Sequence, residues 1–203
     1  QVLGRDPDAL VLDAQGQNLS VLVVGGRHIQ PTALRHGFNC VLQELRQNGA
    51  DMDGIELECY GHLIDQFWSP ATNTLDGPYG GDTLDNRMRF AFDVLNAIRD
   101  RVGRDFIVGV RYSADECMDD GYGKTEGFEI TKRLKDSGLI DFLNVIRGHI
   151  DTDAALTDVI PIQGMANSPH LDFAGEIRAL TDFPTFHAAK IPDVATARHA
   201  IAI

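Results

Sequence analysis

Glu58, Tyr60 and His62 fall within five residues at the end of the run Gly54-Ile55-Glu56-Leu57-Glu58-Cys59. They offer a carboxylate charge, a phenolic hydrogen-bond donor and an imidazole proton acceptor. Ile55 and Leu57 alternate with Glu56 and Glu58, which predicts a half-buried strand over 54–59. Gly61 then breaks the strand and leaves the three polar side chains at or just past its C-terminal end. In a parallel α/β protein that end is the active face. The same residues also read as the solvated end of an ordinary strand, and spacing alone does not separate the two.

Arg111 poses a similar question at the end of Phe106-Ile107-Val108-Gly109-Val110. An unpaired buried cation costs roughly 3–5 kcal/mol, so Arg111 needs an anion or a polar ligand. Glu56 or Asp115 would serve as a plain ion-pair partner. Arg147 follows the strand expected at 141–146, and its guanidinium fork suits a carboxylate. His62, Glu58, His149 and His187 come from different strand ends, as the ligands of a metal-dependent hydrolase would. No His-x-His or paired acidic motif supports that reading, and no metal is assigned.

The elements that must position these residues alternate. Strands are expected at 20–24, 54–59, 106–111, 141–146 and 184–188. Helices are expected at 31–47, 83–102, 125–137, about 172–181 and 192–202, with a short helical turn at 62–69 and a long loop to Gly81. Thr83 is the expected N-cap of its helix, whose inner stripe reads Leu84, Met88, Ala91, Phe92, Leu95, Ile98 and Val102. The βα order, with no hairpin signal, implies a parallel sheet with right-handed crossovers. A closed eight-stranded barrel needs ~250 residues. The expectation is therefore a single α/β domain over 1–203 of parallel (β/α)8 TIM-barrel type, incomplete in this chain.

The chain has 203 residues, 43 % of them hydrophobic, a net charge of −12 and a pI near 4.8. That acidity argues against nucleic acid or an anionic membrane as partner. The three cysteines, Cys40, Cys59 and Cys117, are widely spaced, with no Cys-x-x-Cys run for zinc or an iron–sulfur cluster. They read as reduced thiols of a cytoplasmic protein. Neither a signal peptide nor a membrane-length apolar run is visible.

The run from Tyr60-Gly61-His62-Leu63-Ile64-Asp65-Gln66-Phe67-Trp68-Ser69-Pro70 through Asp76-Gly77-Pro78-Tyr79-Gly80-Gly81 to Leu84-Asp85-Asn86-Arg87-Met88-Arg89-Phe90 resembles the Old Yellow Enzyme family of flavin-dependent (β/α)8 barrels. The resemblance covers 54–201; residues 1–49 carry little of it. The Tyr-Gly-His order resembles the trimethylamine dehydrogenase and N-methyl amino acid demethylase branch. The resemblance implies FMN, a small-molecule amine or amino acid substrate, and hydride transfer from an N-methyl carbon to flavin. It implies Arg111 against the flavin N1/O2 edge, and Lys190 with the backbone of Ala188 and Ala189 at the phosphate. Glu58, Tyr60 and His62 would then face substrate as catalytic residues, with Trp68, Arg147 and His149 as further substrate contacts. Trp68 equally reads as packing under the loop. Relatives on this branch carry a 4Fe–4S cluster beyond the barrel, in a region absent from this chain. The electron acceptor is unassigned, and a homo-oligomer is an open partner assignment. Two alternatives stand beside this: an NAD(P)H-dependent ene-reductase or 2,4-dienoyl-CoA reductase, and an inactive or partner-requiring barrel fragment.

Overall fold

The computed structural model describes residues 54–61 and 63–203, together with the backbone of two earlier strands. The helix expected at 31–47 lies outside the described residues, as does His62. The chain divides into two compact units, Gln1–Val110 and Arg111–Ile203.

The first unit begins with β1 (Leu10–Gln15) and β2 (Asn18–Val23), which pair antiparallel from Leu10↔Val23 to Gln15↔Asn18. This corrects the expectation that the chain lacks a hairpin. Only Gly16 and Gln17 separate the strands, a spacing and a first residue that suit a tight hairpin link. β2 then pairs parallel with β3 (Gly54–Glu58), from Asn18↔Gly54 to Val21↔Leu57. In β3, Ile55 and Leu57 are buried while Glu56 and Glu58 are half-buried, as the alternation requires.

α1 (Leu63–Trp68) and α2 (Leu84–Val102) complete this unit. Thr83 caps α2 by accepting the Asn86 N–H, which satisfies one of its otherwise unpaired first-turn donors. Met88, Ala91, Leu95 and Ile98 are buried, as expected. Leu84, Phe92 and Val102 are only half-buried, and Arg87, Val94 and Arg99 take inner positions instead. The two arginines can be inside because backbone carbonyls receive them. Arg87 donates from Nε to Trp68 (2.8 Å) and from Nη1 to Gly81 (3.0 Å). Arg99 donates from Nη1 to Gly103 (3.1 Å) and Phe106 (2.7 Å).

β4 (Ile107–Ser113) runs through the boundary of the units, two residues further than its apolar run foretold. The second unit continues with α3 (Lys124–Asp136), β5 (Phe142–Ile146), α4 (Asp153–Val159), α5 (Leu171–Thr181), β6 (Thr185–His187) and α6 (Val194–Ala202). β5 and β6 are parallel, with Leu143↔Thr185 and Val145↔His187 in register. Ile130, Leu134, Leu143 and Ile177 are fully buried and form the core of this unit. α3 comes unusually close to the chain after β4. A Cβ at Gly127 would lie 1.7 Å from the Ala114 carbonyl oxygen, so only glycine admits this approach. α4 occupies a stretch read as loop; Thr152 caps it by accepting the Ala155 N–H. Neither α4 nor α6 has a buried residue. Among the described residues no helix is long and apolar enough to cross a membrane.

Candidate functional site

In the first unit the polar group stands where β3 turns into α1. Tyr60 is buried, and its N–H donates to Glu58 Oε1 at 3.2 Å. Gly61 adopts φ +69°, the left-handed conformation glycine takes without strain, and its N–H donates to Asp65 Oδ2 at 3.0 Å. Between them the Cys59 thiol is pushed well above its ordinary range by burial, and further by the charges of Glu58, Asp65 and Glu56. The thiol thus stays protonated. Trp68 is fully buried and its carbonyl accepts from Arg87. Asn73 Nδ2 donates to the carbonyls of Phe67 and Tyr79, both at 2.9 Å, and Tyr79 donates its hydroxyl to Asp93 Oδ2 at 2.7 Å. Asn73, Tyr79 and Arg87 therefore fix the long loop.

In the second unit the ends of β4 and β5 are stapled together. Asp115 is the centre. Its Oδ2 accepts from Arg147 Nε at 2.9 Å, its Oδ1 accepts from the Cys117 N–H at 3.1 Å, and its carbonyl accepts from the Gly148 N–H at 2.7 Å. Asp115 thus pairs with Arg147 in the place where sequence reasoning offered it to Arg111. Ser113 Oγ reaches the carbonyls of Gly148 (2.8 Å) and Asp115 (3.0 Å). Gly148 has φ +106°, and a Cβ there would meet Val159 Cγ2 at 2.8 Å. Arg147 also places its Cζ 5.3 Å from the centre of the Phe173 ring, within cation–π range. Arg111 is half-buried at the start of this unit.

Next along the chain, His149 is buried between two carboxylates. Glu116 Oε1 lies 3.9 Å from its Nε2, and Asp151 Oδ1 lies 3.5 Å from its Nδ1. Glu116 is itself buried, with Oε2 accepting the Tyr122 N–H at 2.8 Å; the Tyr122 hydroxyl donates to the Ser113 carbonyl at 2.7 Å. Sequence reasoning missed Glu116 and the stapling role of Asp115. The signal was present: two adjacent acids just beyond a strand end, the criterion that singled out Glu58.

At the end of β6, His187 Nδ1 donates to the Val145 carbonyl at 3.0 Å, and its ring stands 6.5 Å from that of His170, nearly perpendicular. His170 Nε2 donates to the Asp158 carbonyl at 2.5 Å. Burial holds His187 below its ordinary value of 6.5, and His170 adds to this against the opposing Val145 hydrogen bond. Ala188 is exposed, while Ala189 and Lys190 are half-buried with φ +88° and +55°. Positive φ at such residues costs of order 1–3 kcal/mol and persists only when the surroundings enforce it. Here Lys190 Nζ donates to the carbonyls of Ile162 (2.8 Å) and Met165 (2.6 Å), and its own carbonyl accepts the Ser168 N–H at 2.9 Å.

A phosphate fits this turn in kind. The side chains at 188 and 189 are single methyls, which leaves the backbone open, and among the described residues the Lys190 ammonium is held by two neutral carbonyls, with which an anion competes. The Asp193 carboxylate takes the Thr196 N–H (2.8 Å) and hydroxyl (3.0 Å), and these bonds hold it below its ordinary range.

Residues 44–195 match the model of a family described as NADH:flavin oxidoreductase / NADH oxidase. The chain is 78 % identical over 157 residues to "Probable N-methylproline demethylase" of Rhizobium meliloti (strain 1021), covering 77 % of this chain and 23 % of that protein. It is 42 % identical over 165 residues to "Multifunctional alkene reductase/demethylase OYE" of Caballeronia cordobensis, covering 81 % and 23 %. The chain thus spans about a quarter of the length of these relatives. Among solved structures it resembles a 2-naphthoyl-CoA reductase complexed with 2-naphthoyl-CoA, with a TM-score of 0.76 and 22 % identity over 86 % of this chain and 26 % of that one. The fold is accordingly of parallel (β/α)8 barrel type, and this chain supplies part of the barrel.

Proposed function

We propose a function from one premise: the chain belongs to the NADH:flavin oxidoreductase / NADH oxidase family. It forms part of an FMN-dependent oxidoreductase that demethylates an N-methylated amine or amino acid. The observation that carries this reading is the 78 % identity to the R. meliloti protein named for N-methylproline demethylation. Bound flavin would accept a hydride from the N-methyl carbon, leaving an iminium that water hydrolyses to formaldehyde and the demethylated amine.

The residues take roles consistent with their surroundings. Glu58, half-buried at the end of β3, holds the substrate ammonium by charge. Tyr60, fixed through its N–H to Glu58, and His62 contact the substrate beside it. Arg111 faces the flavin N1/O2 edge, where a cation favours the reduced, anionic ring. Ala188, Ala189 and Lys190 receive the phosphate, and His149 and Arg147 contribute from the end of β5. Trp68, fully buried, packs under the loop that follows it and does not reach a substrate. The whole protein works in the cytoplasm, with a separate electron acceptor, and self-association is compatible with it. A 4Fe–4S cluster would need ligands other than the three dispersed cysteines of this chain.

Purified full-length protein should be yellow and should release formaldehyde from N-methylproline. A colourless protein that takes up no FMN would overturn the reading. Alkene reduction is the second reading, favoured by the bifunctional name of the Caballeronia relative. Turnover of cyclohexenone with NAD(P)H, in the absence of formaldehyde release, would put it first.

A further inference from the structure

We infer that His170 and His187 form a two-acceptor site for one buried water, and that the pair so linked positions the Lys190 turn. The positioning role rests on the reading of that turn as the phosphate site; the water site does not. Each ring is fixed at one nitrogen by a backbone carbonyl. His170 Nε2 meets the Asp158 carbonyl at 2.5 Å, and His187 Nδ1 meets that of Val145 at 3.0 Å. A carbonyl only accepts, so each ring carries a proton at that nitrogen. A neutral ring then keeps a lone pair on its other nitrogen, and burial favours the neutral form of His187. The two remaining nitrogens, His170 Nδ1 and His187 Nε2, are buried and, among the described residues, have no hydrogen-bond partner. Buried polar atoms in that position call for a water or an ion.

Two acceptors cannot satisfy each other; they need a group with two hydrogens to give. The rings stand 6.5 Å apart, centre to centre, with planes 79° apart. A water bonded to both nitrogens at about 2.8 Å, near the tetrahedral angle, holds two imidazole centres about 6–6.5 Å apart. Metal ions also bind histidines anchored through a carbonyl. Tetrahedral bonds of about 2.0–2.1 Å would draw the centres in to about 5 Å. Among the described residues no third His, Cys, Asp or Glu joins the pair as a ligand. The spacing and the missing third ligand both favour water. Segment 162–170 then meets the turn at three levels. Lys190 Nζ donates to the Ile162 and Met165 carbonyls, and the Lys190 carbonyl accepts from Ser168 N–H (2.9 Å) and Oγ (3.2 Å). The histidine pair is the third tie, at the base, because His187 ends β6 and His170 stands just ahead of α5. Ala189 and Lys190 hold positive φ, which their surroundings must enforce, and the linked rings enforce it from the strand side.

The test uses the full-length protein loaded with FMN or with riboflavin, which lacks the phosphate, and follows flavin release by fluorescence. His170→Gln keeps a donor where Nε2 stands, and His187→Asn keeps one where Nδ1 stands. Each variant thus retains its carbonyl bond and loses its buried acceptor. Each should speed FMN release roughly 3- to 10-fold, the size of one hydrogen bond, and riboflavin release by less than about twofold. The double variant should stay within about twofold of the faster single, because both rings act through the same water. Imidazole nitrogen resonances of histidine-labelled wild type should show His187 protonated at Nδ1 and His170 at Nε2. Additive losses in the double variant, one tautomer shared by both rings, or a metal ion that elemental analysis finds in wild type and loses in either variant would each overturn the water site. Equal effects on FMN and riboflavin would overturn the positioning role. Opposite tautomers with FMN release untouched by Lys190→Met would sink the phosphate reading alone.

Discussion

Gly127→Ala should destabilise the second unit, although the substitution normally strengthens a helix. Alanine in place of glycine within a helix is worth about 1 kcal/mol in favour of folding. At position 127 the added Cβ would sit 1.7 Å from the Ala114 carbonyl oxygen and 2.6 Å from its carbon, against the 3.0 Å or more that real contacts keep. About 1.3 Å must therefore be opened between α3 and the chain after β4. α3 cannot yield that distance cheaply, because Ile130 and Leu134 on the same face are fully buried. Overpacking of this kind costs about 1–3 kcal/mol and occasionally more, so a displacement this large should leave a net loss of about 2 kcal/mol after the helix gain. The assay is urea unfolding followed by far-ultraviolet circular dichroism. Gly123→Ala serves as control. It lies at the N-cap of the same helix with nothing within 4 Å of its Cβ, and should cost only about 0.5–1 kcal/mol through the poorer cap. A Gly127→Ala protein as stable as wild type, or more so, would refute the close-approach argument.

Two further outcomes follow from the buried polar groups. Arg87→Met leaves the Trp68 and Gly81 carbonyls without their donor and should cost about 2–4 kcal/mol; a thermal melting temperature unchanged from wild type would contradict it. His187 is held below its ordinary 6.5 by burial, then by His170, so folding favours its neutral ring. The unfolded chain binds the proton more readily, and stability is present in full above pH 6.5 and is lost as pH falls from there through the lower, folded value. His187→Asn should flatten that acid slope, and an imidazole resonance titrating at or above 6.5 in the folded protein would contradict the assignment.

The elements that sequence reasoning placed well are those written in local chemistry. β3 shows itself through Ile55 and Leu57 alternating with glutamates, and α2 through Thr83 at its start. α4 escaped notice because seven residues are too few to display a helical stripe, although Thr152 followed by Asp153 is a serviceable start signal. The N-terminal hairpin escaped because the βα rhythm of the rest suggested a uniform parallel order. At the candidate site, Glu58, Tyr60, Arg111 and Lys190 were singled out by strand-end position and family likeness. The Asp115–Arg147 staple and the burial of Glu116 beside His149 were not, because they depend on which loops meet across 32 or so residues of intervening chain. Likewise, the inward arginines of α2 look like a polar face until the carbonyls that receive them are seen.

The 69–83 connection is fastened from within. Arg87 and Asn73 hold its ends and middle, Arg89 Nε takes the Pro78 carbonyl at 2.7 Å, and Gly81 closes onto Leu75 at 3.1 Å. Its length invites the idea of a swinging cover, yet it carries the bonding of a core element without a helix or strand to its name. A protease offered this fold meets exposed residues over 74–79 whose flanks, Asn73 and Gly80, are buried.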